Sequence, residues 1–264
     1  MLQLTAALVI CAVTWKVLQG GWRGARGFQL AGFDPSALGM GVVAIGAAMY
    51  FWGVLYGIAL IIAVIIHEFG HVAAFRVCGH ADARFRLIPL LGGVAISDSQ
   101  PSRADKAFFI TLMGPSINLG PMVLCFALSE LALVGDAEWA YQVGVYLYIQ
   151  GLVLASLNFF NLLPLWPLDG GRLTQRLVYT FAPDLTRPAS IAMAALAVLM
   201  CLATQSWFLL AFVAISWPGL MQSEKLLAAQ RPLSRARALL ALAAYIATTA
   251  TFFVGGQELF LGMF

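Results

Sequence analysis

His67-Glu68-Phe69-Gly70-His71 places two imidazoles four residues apart, with a carboxylate beside the first. On a helix that spacing stacks both rings on one face, where a single metal ion can take a nitrogen from each. Zinc in a hydrolytic site uses three protein ligands and leaves a position for water. The chemistry these residues could do is therefore metal-assisted hydrolysis, with Glu68 accepting the water's proton as general base and delivering it to a leaving amine. The pentapeptide lies in an almost unbroken apolar run from Leu38 to Val77. A hydrogen-bonded pair of core histidines would account for it in a soluble helix. Within hydrocarbon, two imidazoles and a carboxylate are costly and point to function instead. Haem is disfavoured, since two ligands from one face cannot bind opposite sides of the ring.

A third ligand has to be an acid at similar depth. His67 lies ten residues after Gly57 and nine before Arg76, so roughly 14 Å of helix separates it from each end. Most of the twelve carboxylates fall in connecting segments. Asp169 differs, because it follows an apolar stretch that ends Asn161-Leu162-Leu163-Pro164-Leu165-Trp166-Pro167-Leu168 and precedes Gly170-Gly171-Arg172. Pro164 and Pro167 cannot continue a regular helix. Unwound backbone is tolerated at depth where it lines a protein cavity or a wet site, and such a stretch can aim Asp169 back at His67 and His71.

These residues need a bundle of membrane helices to position them. The chain has 264 residues, 61% hydrophobic and 10% charged, against roughly 25% charged in soluble domains. The expected fold class is an all-α polytopic membrane protein of about six to eight transmembrane helices, with a small membrane-associated β-hairpin near 84–96. Apolar runs fall at about 2–18, 38–55, 57–77, 107–133, 140–162, 188–203, 206–220 and 238–256. The run from Leu38 to Val77 would extend about 60 Å as one helix, twice a hydrocarbon core of about 30 Å, so it divides near Gly53–Gly57. Residues 2–18 lack a basic leader and a small-residue cleavage site, and read as a retained span rather than a signal peptide.

Basic residues cluster in 76–106, 172–187 and 221–237, whereas 135–139, 204–207 and the C-terminal tail have none. Lys16, Arg23 and Arg26 add the first loop to the basic side. The alternation follows the positive-inside rule and is satisfied by eight spans with both termini outside. A net charge of +3 is too small to suggest nucleic acid. Cys11, Cys78, Cys125 and Cys201 form no C-x-x-C pair and read as ordinary buried thiols. Arg84-Phe85-Arg86-Leu87-Ile88 alternates with a two-residue period, and Gly92-Gly93 suits the tight reversal of a hairpin. Its strand edge could pair with an extended peptide.

His67-Glu68-Phe69-Gly70-His71, followed by Asn161-Leu162-Leu163-Pro164-Leu165-Trp166-Pro167-Leu168-Asp169-Gly170, resembles the paired H-E-x-x-H and N-x-x-P-x-x-x-x-D-G motifs of the site-2 protease family of intramembrane metalloproteases. Gly114-Pro115-Ser116-Ile117-Asn118 is similar to the family's G-P-x-x-N element, and Pro89–Val94 to its membrane-associated hairpin. The resemblance covers about residues 57–175, with flanking spans in 1–56 and 186–264 of one integral membrane domain. It implies one Zn²⁺ per chain held by His67, His71 and Asp169, with Glu68 as catalytic base. Asn161, Gly92, Gly93 and Val94 would contact substrate or the reacting carbonyl, and Asn118 would brace a ligand or join helices. The sequence departs from some relatives in that no PDZ-like insertion interrupts it and no CBS pair follows its last apolar run, so a short form is expected. The expected location is a bacterial inner membrane, with the site toward the basic, cytoplasmic side.

The expected activity is zinc-dependent cleavage in or near a transmembrane segment of another membrane protein. The partners are that substrate and the lipid bilayer, with no nucleic acid. An inactive relative that binds membrane clients would have no need of Glu68. A zinc transporter would want further acids or histidines along a route, and the spans after 188 offer none. His80 reads as a solvated turn residue. Gly114 and Gly120 read as points of close helix approach, and Trp166 and Trp217 as interfacial anchors.

Overall fold

The computed structural model describes residues 2–22, 35–88, 92–135 and 137–261. Each apolar run of the sequence is helical, and the run at 107–133 is divided into two helices. In chain order these are α1 (Leu2–Val17), α2 (Pro35–Trp52), α3 (Val54–Val77), α4 (Ala104–Ser116), α5 (Leu119–Leu133) and α6 (Glu138–Asn161). There follow α7 (Asp169–Phe181), a 3-10 turn at Pro183–Leu185, α8 (Thr186–Ala203), α9 (Trp207–Ala229) and α10 (Arg235–Leu261). Among the described residues, five helical stretches are long and apolar enough to cross a membrane: Val54–Val77, Ala104–Leu133, Glu138–Asn161, Pro183–Ala203 and Arg235–Leu259. The 16-residue α1 is apolar but shorter, at about 24 Å.

The forty-residue run divides where its glycines predict. Gly53, between α2 and α3, has φ of 80°, a left-handed conformation that side chains disfavour. A Cβ on Gly57 would lie 2.7 Å from Met49 Cα, so the absence of a side chain lets the two helices close on each other.

The chain forms two compact units. The first comprises Met1–Ser99, Met113–Phe159 and Ala250–Phe264. In it α3 lies beside α2, and α1 lies along α5, where a Cβ on Gly120 would meet Cys11 Sγ at 2.5 Å. Strands β1 (Arg84–Ile88) and β2 (Gly92–Ile96) form the expected antiparallel hairpin, β1 next to α2 and both strands next to α3. Gly92 and Gly93 do not make its reversal. They are strand residues paired with Ile88 and Leu87. Residues 89–91 lie outside those described.

A polar clasp closes the hairpin base. The Asp98 backbone N–H and the Ser97 hydroxyl donate to Asp82 Oδ2 at 2.6 and 3.0 Å, and Arg84 pairs with Asp98 at 3.0 Å. His80 belongs to it, with Nδ1 3.1 Å from Ser99 Oγ and 3.2 Å from Ser97 Oγ.

The second unit comprises Gln100–Leu112 and Phe160–Thr249. Its apolar centre joins Leu165, Leu168, Ala197, Cys201 and Val213. The segment before α4 is tied to the α9–α10 connection through Arg231 N–H to Ser102 O (3.0 Å) and Ala104 N–H to Arg231 O (2.9 Å). Arg103 and Arg237 converge on Asp105. Helix α7 is the element with no counterpart among the apolar runs. Residues 172–187 read as a basic connection, yet Gly170, Gly171, Leu173, Gln175 and Leu177 are buried while Arg172 is exposed. This is a short amphipathic helix, and its mixed composition hides it from any search for apolar runs.

Candidate metal centre

Helix α3 presents its small residues to its neighbours: Ala59, Ala63, Ala73 and Ala74 are fully buried. His67 and His71 continue that face at 4% and 9% exposure, and Glu68 is buried at 8%. Close approach is enforced at two glycines. A Cβ on Gly70 would lie 2.4 Å from Met113 O, and one on Gly114 would lie 2.2 Å from the His71 ring. Gly114 is therefore the floor on which His71 rests.

The His67 ring is fixed by an asparagine the sequence reading did not single out. Asn158, on α6 and fully buried, has its Oδ1 2.8 Å from His67 Nδ1. Its own Nδ2 donates to Leu154 O at 2.7 Å. A backbone carbonyl only accepts, so the amide orientation is set and Oδ1 faces the ring. An amide oxygen also only accepts, which puts the His67 proton on Nδ1 and leaves Nε2 to bind metal.

Asn118, between α4 and α5 and also fully buried, donates through Nδ2 to Asn158 Oδ1 (3.2 Å) and to Ala63 O (3.4 Å). Asn118 thus ties α3 to α6 and contacts the asparagine that is hydrogen-bonded to the His67 ring. Asn158 was detectable in principle, because a second asparagine one turn before Asn161 on a membrane helix has no apolar explanation.

Asp169 is the first residue of α7, buried at 7%. A carboxylate there is favoured by the helix dipole. The glycines after it let the preceding stretch fold back over the helix start. A Cβ on Gly170 would lie 2.2 Å from Leu162 O, and one on Gly171 2.4 Å from Leu165 O. The ligand atoms of His67, His71 and Asp169 all lie within 4.8 Å of one another.

The residues present fit zinc. The donor set is two imidazoles and one carboxylate. The two Nε2 atoms face each other at 3.1 Å, and two nitrogens bound tetrahedrally to one zinc lie about 3.3 Å apart.

Comparison with known proteins agrees with this chemistry. The model of Peptidase family M50 matches residues 55–135 and 128–204. The chain belongs to peptidase family M50. Similar proteins include the zinc metalloprotease MJ0392 of Methanocaldococcus jannaschii, 31% identical over 48% of this chain and 35% of that one. Stage IV sporulation protein FB of Bacillus subtilis is 26% identical over 60% of this chain and 56% of its own length. The putative zinc metalloprotease Rip3 of Mycobacterium tuberculosis is 29% identical over 53% of this chain and 35% of that one. The chain thus spans between about a third and just over half of these relatives. The solved site-2 protease from M. jannaschii overlays with a TM-score of 0.39 at 21% identity, covering 72% of this chain and 88% of that chain.

The M50 match runs from α3 to the end of α8 and holds every residue of the ligand cluster. The match also covers Asn161, Gly92, Gly93 and Val94, which are not members of that cluster. Asn161 closes α6 and is half-buried. Gly92, Gly93 and Val94 lie in β2, whose backbone alone is described. Trp166 is not an interfacial anchor. It is buried at 6% beside Ala194 and Leu220, and its Nε1–H donates to Ser216 O at 3.3 Å. The proline-broken stretch turns the indole inward, whereas Trp217 is 46% exposed. All four cysteines are free thiols.

Proposed function

We propose that this chain is a zinc-dependent intramembrane endopeptidase that cuts a peptide bond in or near a transmembrane segment of another membrane protein. The observation that carries the reading is the buried convergence of His67, His71 and Asp169, with Glu68 next to the first ligand on α3. A bound zinc ion would supply a Lewis acid and lower the pKa of its water to about 7. Glu68 takes the proton of the attacking water and returns it to the leaving amine nitrogen. Asn158 keeps His67 in the tautomer that can ligate, and Gly114 gives His71 its place.

A helical substrate has its carbonyls hydrogen-bonded internally, so the scissile stretch must first be extended. Among the described residues the hairpin is a two-stranded sheet, whose outer edge could pair with it. Asn161 and the Gly92–Val94 backbone are the groups proposed to contact that strand. The alternation of basic and non-basic connections supports an orientation with the site opening toward the cytoplasm, and a bacterial inner membrane is the proposed location. Neither nucleic acid nor a soluble protein is needed as partner.

The test is reconstitution of the chain in lipid with candidate single-span substrates. Glu68→Gln should retain zinc and lose cleavage, and a chelator should abolish wild-type cleavage. Full cleavage by Glu68→Gln would sink the mechanism.

A further inference from the structure

The stretch from Leu162 to Leu168 lacks a regular helical ladder, and it carries the residue that completes the ligand set. Backbone carbonyls freed in this way need partners where water is scarce. Leu163 O, Leu165 O and Leu168 O accept from N–H groups of Leu165, Leu168 and Arg172 nearby in the chain, whereas Leu162 O and the side chains around the stretch are bonded by later helices. Tyr245 of α10, buried at 9%, donates its hydroxyl to Leu162 O at 2.6 Å. Ser216 of α9 accepts from the Trp166 indole. Gln175, two turns into α7 and 3% exposed, donates its two amide hydrogens to Ser190 of α8 and Ser223 of α9, each at 2.7 Å. Both serines are free to accept. Ser190 donates its own proton to Thr186 O at 2.7 Å, and Ser223 donates to Leu220 O at 2.6 Å. The Gln175 amide is thus held by one hydroxyl from each of two helices. Helices α9 and α10 lie beyond residue 204, where the M50 match ends.

We propose that α8, α9 and α10 form a clamp that presets the Asp169 arm for metal binding, with Tyr245 and Gln175 as its positioning residues. The proposal rests on the reading of Asp169 as a zinc ligand. Without a tether the arm samples other positions, and the apparent dissociation constant rises by the inverse of the fraction still in the binding position. Outer partners of metal ligands commonly change affinity by about 10–100-fold. The tethers here act through backbone, and an effect of about three- to tenfold is expected.

The test uses the full chain in lipid nanodiscs. Zinc affinity is measured by competition with a chromophoric chelator, ligand-field absorption after Co²⁺ loading, and unfolding on the metal-free protein. Tyr245→Phe removes only the hydroxyl. Gln175→Met keeps the side-chain length and leaves both serine protons bonded. Ser129→Ala removes a comparable buried bond, Ser129 Oγ to Gly144 O at 2.8 Å, away from the arm. The clamp predicts weaker zinc binding and an altered cobalt spectrum in Tyr245→Phe and Gln175→Met, with neither change in Ser129→Ala. If Asp169→Ala lowers zinc affinity while Tyr245→Phe and Gln175→Met keep wild-type affinity and spectrum, the clamp is overturned and the ligand reading stands. If Asp169→Ala itself binds zinc as wild type does, the ligand reading falls and the clamp falls with it.

Discussion

His67 and His71 share one 24-residue helix, and their spacing is set by the helix itself. Asp169 follows seven residues outside regular helix, and its position is set by contacts from as far along the chain as Tyr245. The histidine arm is fixed side chain to side chain, through Asn158 and Asn118. The aspartate arm is fixed mostly through its backbone, by glycines that admit a fold-back and by groups that satisfy carbonyls. A rigid element needs help only to orient its rings. An irregular one needs help to exist in one conformation at all.

The largest expected effect would show no difference between the arms. His71→Ala and Asp169→Ala should each lower zinc affinity by more than the roughly 100-fold that outer partners can cost, as read by chelator competition. A mild Asp169→Ala would mean that the histidine arm holds metal unaided. The glycines should then separate the arms. In Gly170→Ala the new Cβ meets backbone oxygens of Leu162 and Leu163, and thermal unfolding should show a loss of about 3 kcal/mol. In Gly114→Ala the Cβ meets a side-chain ring, His71. That protein should fold and bind zinc about tenfold more weakly, since a ligand must move.

Similar in size, Asn158→Ala should weaken zinc binding by about tenfold, and Asn118→Ala by less, because Asn118 reaches the ring only through Asn158. Equal losses would show that the two amides act as one unit.

The smallest effect belongs to the hairpin base, outside both arms. The Asp98 backbone N–H, and with it the Ser97 hydroxyl, holds the Asp82 carboxyl below the usual aspartate range. A depressed folded pKa contributes stability above the unfolded value of about 3.9, and loses it as pH falls through the depressed one. Amide protection in β2 should therefore be flat above about pH 5 and fall only in stronger acid, and Asp82→Asn should leave zinc affinity unchanged.

The same contrast decides what could be read from the sequence. Helix periodicity converts His67-Glu68-Phe69-Gly70-His71 into geometry within five residues, and the apolar runs mark the helices because hydrocarbon demands them. Asp169 was reachable because prolines announce where a membrane helix stops. Asn158 was passed over because an asparagine inside an apolar run does not declare whether it faces a ring or a backbone. Helix α7 escaped because its buried face is built from glycines, leucines and a glutamine rather than an apolar run. Tyr245 had no local signal: its partner is a carbonyl, a group every residue has.

The division of the ligands between α3 and the start of α7 also orders events during synthesis. About a hundred residues separate His67 from Asp169, so at about 5–20 residues per second the two histidines precede their completing carboxylate by roughly 5–20 s. Asn158 is translated shortly before Asp169, and Tyr245 last of these. A nascent chain therefore carries half a metal site through the early stages of membrane insertion. The three-residue cluster is complete only once Asp169 has been made, and its tether from Tyr245 follows later still.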